Sequence, residues 1–285
     1  MHLANATHTF ARAMARTAAL GASLLLSSEA AAADAQAAPG AGSVSSPSDF
    51  SRFDYIAERF SEWKVILGGG AIIAPKFEGA KDVKVIPVPL FKARFADRVN
   101  VDPLGVSVEV LQTESFTLAA RGGYELGRDD GDDRHLRGLG DVNAGGVVGA
   151  TAAYALGPVK FTAALDKTVG GSEGLLAIVG AEATGVFGPV ILSAEASATW
   201  ADDNHMEAYF GVTRRQSARS GLSRYRAEAG IKRVDVQASA TYLIDEHWLL
   251  RGQAGLGYLV GDAKDSPIVE KKAQPSALLM VGYRF

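Results

Sequence analysis

A chain of 285 residues with 47% hydrophobic side chains, 32 glycines and a net charge of -3 can build one substantial folded unit. It has no cysteine, so no disulfide framework holds it, and its near-neutral charge gives no footing for nucleic-acid binding. Composition alone does not choose between a large soluble domain and a membrane protein.

Read from the start, Arg12 and Arg16 precede a short apolar run from Ala18 to Leu26, followed by the small residues Ala30 to Ala33. This is the pattern of a secretory signal peptide, expected over 1–33, with a site at Ala35-Gln36-Ala37 as the alternative. The apolar run falls short of the roughly 20 residues a membrane-spanning helix needs, and no later window is apolar enough. Residues 34–60 read as a leader. Its first part is rich in Ala, Gly, Ser and Pro, and Ser48-Asp49 then caps a short amphipathic helix with Phe50, Phe53, Ala57 and Phe60 at helical spacing. Those aromatics are either a docking face for a periplasmic partner or the face by which the helix rests on, or enters, a barrel mouth.

From residue 61 to 285 the signal has period two. Leu192, Ala194, Ala196, Ala198 and Trp200 share one face of a run whose other face carries Ser193, Glu195, Ser197 and Thr199. Arg233 to Tyr242 and Phe116 to Leu126 repeat the scheme. Runs near the 9 to 11 residues that a tilted strand needs to cross a bilayer, with aromatics at their ends, predict an all-β transmembrane antiparallel barrel rather than a soluble sandwich. The strands are expected near 62–73, 83–95, 98–111, 115–126, 141–155, 158–168, 174–187, 190–200, 205–213, 229–244, 247–260 and 275–285: about twelve, with ten as the alternative. Tight joints at Gly157-Pro158, Gly188-Pro189 and Asp245-Glu246 suit the periplasmic side, which leaves 127–140, 201–228 and 261–274 as outer loops. Counted back from the end, the early strands then run the wrong way. Either 205–213 is loop structure or 98–111 is two short pieces, and the parity slip around Pro103 suits a bulge.

The inward faces carry Lys160, Asp166, Arg121, Glu125, Glu182, Glu195, Arg233, Asp235 and Arg251. Both signs in similar number point to a filled interior rather than an ion-selective pore. The acidic stretch Asp129 to Asp133 resembles part of a calcium loop but lacks the later bidentate Glu, so a solvated loop is expected and no metal site. His205 follows Asp202-Asp203 as in the acid–histidine pairs of barrel hydrolases, yet no nucleophile motif or second acid–base pair accompanies it. No catalytic or cofactor-binding residue is therefore assigned. Gly68 to Gly70, Gly255 and Gly257 lie in strands and read as residues of barrel curvature. Five arginines crowd one outer loop: Arg214, Arg215, Arg219, Arg224 and Arg226. Guanidinium groups bind phosphate in bidentate fashion, so the first four are candidate contacts for lipopolysaccharide, unless Glu207 and Glu228 neutralise them. The chain closes on an alternating strand ending in Tyr283-Arg284-Phe285, the form of an assembly signal in which Tyr283 and Phe285 face lipid.

The run Tyr209-Phe210-Gly211-Val212, the stretch Ser217 to Leu222 with Tyr225, Asp262 to Val269, Val85 to Pro89 and the aromatic end occur here in order. In these features the chain from about Trp63 to Phe285 resembles the MipA/OmpV family of outer-membrane proteins. The resemblance implies an integral barrel of the Gram-negative outer membrane. For the family's namesake it implies a scaffold between a murein lytic transglycosylase and a murein synthase, and for other members adhesion or responses to antibiotics and osmolarity. No catalytic residue comes with it. The expectation is a non-enzymatic structural or scaffolding barrel without cofactor, in contact with lipid and lipopolysaccharide. A small-solute channel, an adhesin and a lipid-modifying enzyme centred on His205 are the alternatives.

Overall fold

The computed structural model describes residues 65–95, 98–103 and 105–285. Signal peptide, leader and the Phe50, Phe53, Phe60 helix lie outside them.

Twelve antiparallel strands close into a barrel in which each pairs with its neighbours in sequence and the last returns to the first. They are β1 (Val65–Pro75), β2 (Val83–Phe95), β3 (Val99–Asp102), β4 (Gly105–Gln112), β5 (Phe116–Glu125) and β6 (Gly145–Leu156), then β7 (Val159–Gly170), β8 (Leu175–Phe187), β9 (Val190–Ala201), β10 (Gly230–Leu243), β11 (Trp248–Leu259) and β12 (Ala273–Arg284). The expected twelve strands are thus present, with two corrections. Residues 98–111 are a short hairpin, β3 with β4, so the parity slip at Pro103 is a chain reversal and not a bulge. Residues 203–210 are helix α1 (Asp203–Phe210), not a strand, and are followed by α2 (Arg214–Ser220). Together these restore the direction of the early strands.

Alternation makes the wall two-faced. Val179 is 58% exposed and its neighbour Ile178 1%, while Leu165, Leu192, Val236 and Leu279 join Val179 on the outer surface. Where neighbouring strands pair along their length the sheet satisfies its own backbone, so this apolar outer belt can face hydrocarbon. One rim carries short turns at 113–115, 157–158, 188–189 and 244–247, with Gly157 and Gly188 at φ 56 and 61, together with both ends of the described barrel. The opposite rim carries 76–82, 126–144, 171–174, 202–229 and 260–272.

Those longer segments fold over and into the mouth. Met206, Tyr209 and Phe210 of α1 are buried against the inward Val147, Leu176, Ile178 and Leu259. A second cluster joins Phe77, Leu136, Leu139, Val212 and Ile268, so four rim segments meet there. Burying an aromatic such as Phe210 contributes about 1.5–3 kcal/mol, which fixes the segment to the wall.

Candidate functional site

Where α1 enters the mouth, its polar side chains meet charges from four strands and loops. Asp202 caps the helix: its side chain accepts from the backbone N–H of His205 at 2.9 Å. The Asp202–His205 spacing that suggests an acid–base pair is therefore a helix cap. The His205 ring is buried. Its Nε2 lies 3.0 Å from Nζ of Lys232, and Nδ1 lies 3.6 Å from Oε1 of Glu125. A lysine ammonium only donates, so Nε2 accepts and the ring proton sits on Nδ1, toward the carboxylate. Burial, and then the Lys232 charge, hold the His205 pKa well below its usual value, so the ring is neutral.

Lys232 also donates to Oε2 of Glu78 at 3.0 Å, and Ser172 Oγ donates to Oε2 of Glu125 at 2.7 Å. Arg233 Nε donates to Asp235 at 2.7 Å. Arg128 Nη1 donates to the Tyr209 carbonyl at 2.9 Å, tying the 126–144 segment to α1. Ser172 thus bonds the carboxylate, while both nitrogens of His205 face other partners. Nucleophile and base do not meet, and each is buried. What the arrangement does is lock α1 into the mouth.

Lys232, Glu78 and Ser172 are the members that sequence reading misses. The register slips between Ile231 and Arg233, so one extra residue enters β10 and both Lys232 and Arg233 are buried. The signal was available: Ile231 and Val234 both belong outside but stand three apart, which strict alternation forbids. Gly257, opposite Asp235, leaves room for the Arg233 side chain, since a Cβ there would fall inside its guanidinium.

Deeper in the lumen the expected inward charges pair. Lys160 meets Glu182 at 2.5 Å, Arg121 meets Asp166 at 3.3 Å, and Gln237 donates to Glu195 at 2.6 Å. Asp129, Asp130 and Asp141 converge within 4.8 Å, but each accepts a backbone N–H of the same segment, which accounts for the cluster as loop structure.

Arg214, Arg215 and Arg219 are carried by α2, which Thr213 and Gln216 start with a capping box and Gly221 ends in the left-handed conformation. These three and Arg224 are exposed, and among the described residues no carboxylate lies within ion-pair distance of them. Arg226 alone reaches Glu207, at 3.9 Å. At the opposite rim, Tyr283 packs edge-on against Trp248 at 5.0 Å and Phe285 at 4.8 Å, and stacks on His247 at 5.4 Å.

Known proteins resemble this chain over most of its described length. The family model described as MltA-interacting protein MipA matches residues 67–285. The MltA-interacting protein of Escherichia coli (strain K12) is 26% identical over 232 residues, 79% of this chain and 92% of that protein. Putative outer membrane protein YiaT of the same organism is 29% identical over 130 residues, 45% of this chain, which spans only 52% of that relative's length. Among solved structures, the KdgM porin aligns with TM-score 0.42 and 8% identity over 77% of this chain and 99% of that one. OprD of Pseudomonas aeruginosa aligns with TM-score 0.37 and 10% identity over 78% and 65%. With its closed wall and apolar belt, the molecule is an integral barrel of the outer membrane. The chain belongs to the MltA-interacting protein (MipA) family.

Proposed function

We propose that this barrel is a structural protein of the outer membrane that holds a murein-remodelling enzyme near the membrane's periplasmic face. The observation that carries this reading is the interior: the described lumen is crossed by ion pairs of its own, and its outer mouth is packed with α1. A lumen filled in this way leaves surfaces, not a conduit, as the working parts. The relative matched over 92% of its length is named for its interaction with MltA, which supports a lytic transglycosylase as the partner. The leader aromatics Phe50, Phe53 and Phe60 are the proposed docking face, because aromatic anchors supply most of the affinity at small interfaces. Deleting residues 38–60 should leave the barrel inserted and lower recovery of crosslinked periplasmic partner at matched membrane levels. Unchanged recovery would exclude the leader. No partner with either form, together with single-channel conductance in planar bilayers, would favour a small-solute channel.

On the opposite rim, the unpaired Arg214, Arg215, Arg219 and Arg224 support contact with lipopolysaccharide phosphates. Their replacement by Gln should lower the lipopolysaccharide retained on purification, and full retention would remove them from that role.

A further inference from the structure

The wall is uneven. Ten strands run 10 to 14 residues, but β3 has 4 and β4 has 8. β1 is paired with β2 along its whole length, from Val65 opposite Ala93 to Pro75 opposite Val83, yet β2 pairs with β3 only over Ala93–Phe95. Among the described residues, no strand lies against the other edge of β2 from Val83 to Phe91.

The backbone direction of that edge follows from the seam. Phe285 N–H donates to the Val65 carbonyl, so odd residues of β1 bond to β12 and even ones to β2. Their partners on β2 are the even residues, Ile86 opposite Ile72 and Lys92 opposite Ile66. Val83, Val85, Pro87, Pro89 and Phe91 therefore turn their backbone groups to the open side. Two of these five are prolines, so the edge offers five carbonyls but only three N–H donors. An edge so depleted in donors is a poor template for another strand.

The opening is bounded all round. β2 forms one side and the β3–β4 hairpin its floor, with Gly105 of β4 opposite Gly123 on β5. Above, contacts pass from the β1–β2 turn directly to the β5–β6 segment: Lys76 Nζ to Asp133 at 3.0 Å, and Phe77 stacked on His135 at 6.4 Å. The inner face of β2 behind the opening is apolar, with Ile86, Val88 and Leu90 packed against Ile72 and Met280. Its outer face, Val85 and Phe91 included, continues the lipid-facing belt. Bare carbonyls at membrane depth need donors, and apolar flanks want hydrocarbon.

We propose that this lateral window is a lipid site, taking the acyl chain of an outer-leaflet lipid whose hydroxyl or amide N–H, close to the headgroup, donates to the β2 carbonyls. Its occupant is neither a strand nor an ion.

Photo-leucine, close to leucine in size, tests this without disturbing the fold. It is incorporated throughout the chain, and the full protein is reconstituted in vesicles of lipopolysaccharide, rich in hydroxyl and amide donors, and phosphatidylcholine, which has none. Leu90 faces inward beside the window, Leu176 and Leu259 face inward behind continuous wall, and Leu192 faces lipid. Expected on irradiation are lipid adducts at Leu90 and Leu192 and none at Leu176 or Leu259. The ratio of lipopolysaccharide to phosphatidylcholine should be several-fold higher at Leu90 than at Leu192. Absence of lipid at Leu90 with Leu192 labelled, equal ratios at the two, or a peptide adduct from this chain or a second copy would each overturn the proposal.

Discussion

His205 shows how one residue's surroundings decide its role. Facing Lys232 on one side and Glu125 on the other, with Tyr209 at 4.6 Å between ring centroids, it is buried and neutral. Its pKa is depressed relative to an unfolded value of 6.5, so the unfolded chain binds the proton more readily and stability falls as pH drops below that value. Acidification from pH 7 to 5 should therefore loosen the mouth, and His205→Gln, which keeps an acceptor for Lys232, should flatten that dependence. The check is the heating temperature at which the barrel loses its compact mobility on gels, measured at both pH values. An equal acid shift in parent and variant would show that His205 does not set it. None of this environment was legible locally, because Lys232 and Glu125 come from 27 and 80 residues away, and the only neighbour the sequence offered, Asp202, turns out to cap the helix.

At the level of the element, alternation was readable wherever a strand separates lipid from a packed lumen. In β9, Ala196 faces out and Ser197 in, with Asp235 directly opposite Ser197 in register. Ala196→Arg must place a charge in hydrocarbon at a cost of about 2–4 kcal/mol near the midplane, whereas Ser197→Arg gains a carboxylate neighbour. Urea unfolding from vesicles should show the first variant destabilised by roughly that amount and the second far less; equal effects would mean that the register is shifted. What sequence could not give is equally local. The segment 203–210 has polar and apolar residues that suit a short strand as well as a short helix, and packing of Met206 and Phe210 against the inner wall settles the matter. The direction of the early strands already pointed to loop structure at 205–213 or to two short pieces at 98–111; both hold, and the β3–β4 turn is so short that its two strands otherwise read as one interrupted run.

For the whole molecule, everything depends on the seam, because a barrel with an unpaired first and last strand would expose two edges to lipid. β1 and β12 pair from Ile66 opposite Arg284 to Ile73 opposite Ala277, and the strands meet where β1 has no side chains to separate them. A Cβ on Gly68 would lie 2.8 Å from the Gly282 Cα, and one on Gly70 2.8 Å from the Met280 Cα. The glycine run read as curvature in the sequence is thus also a closure device. The last bond of the seam comes from the final residue, Phe285 N–H to the Val65 carbonyl at 3.1 Å, and its ring leans on Tyr283 among the aromatics of that rim. Deleting Phe285 removes both the bond and a ring that packs on Tyr283, one of the aromatics favoured at the interface. The truncated chain should accumulate less in the outer membrane and should remain heat-insensitive on gels, as an unclosed barrel does, while Phe285→Tyr should behave as the parent. If the truncated chain instead folded to parental amounts, closure would rest on the remaining seam pairs alone, and the aromatic end would be a lipid contact rather than an assembly determinant.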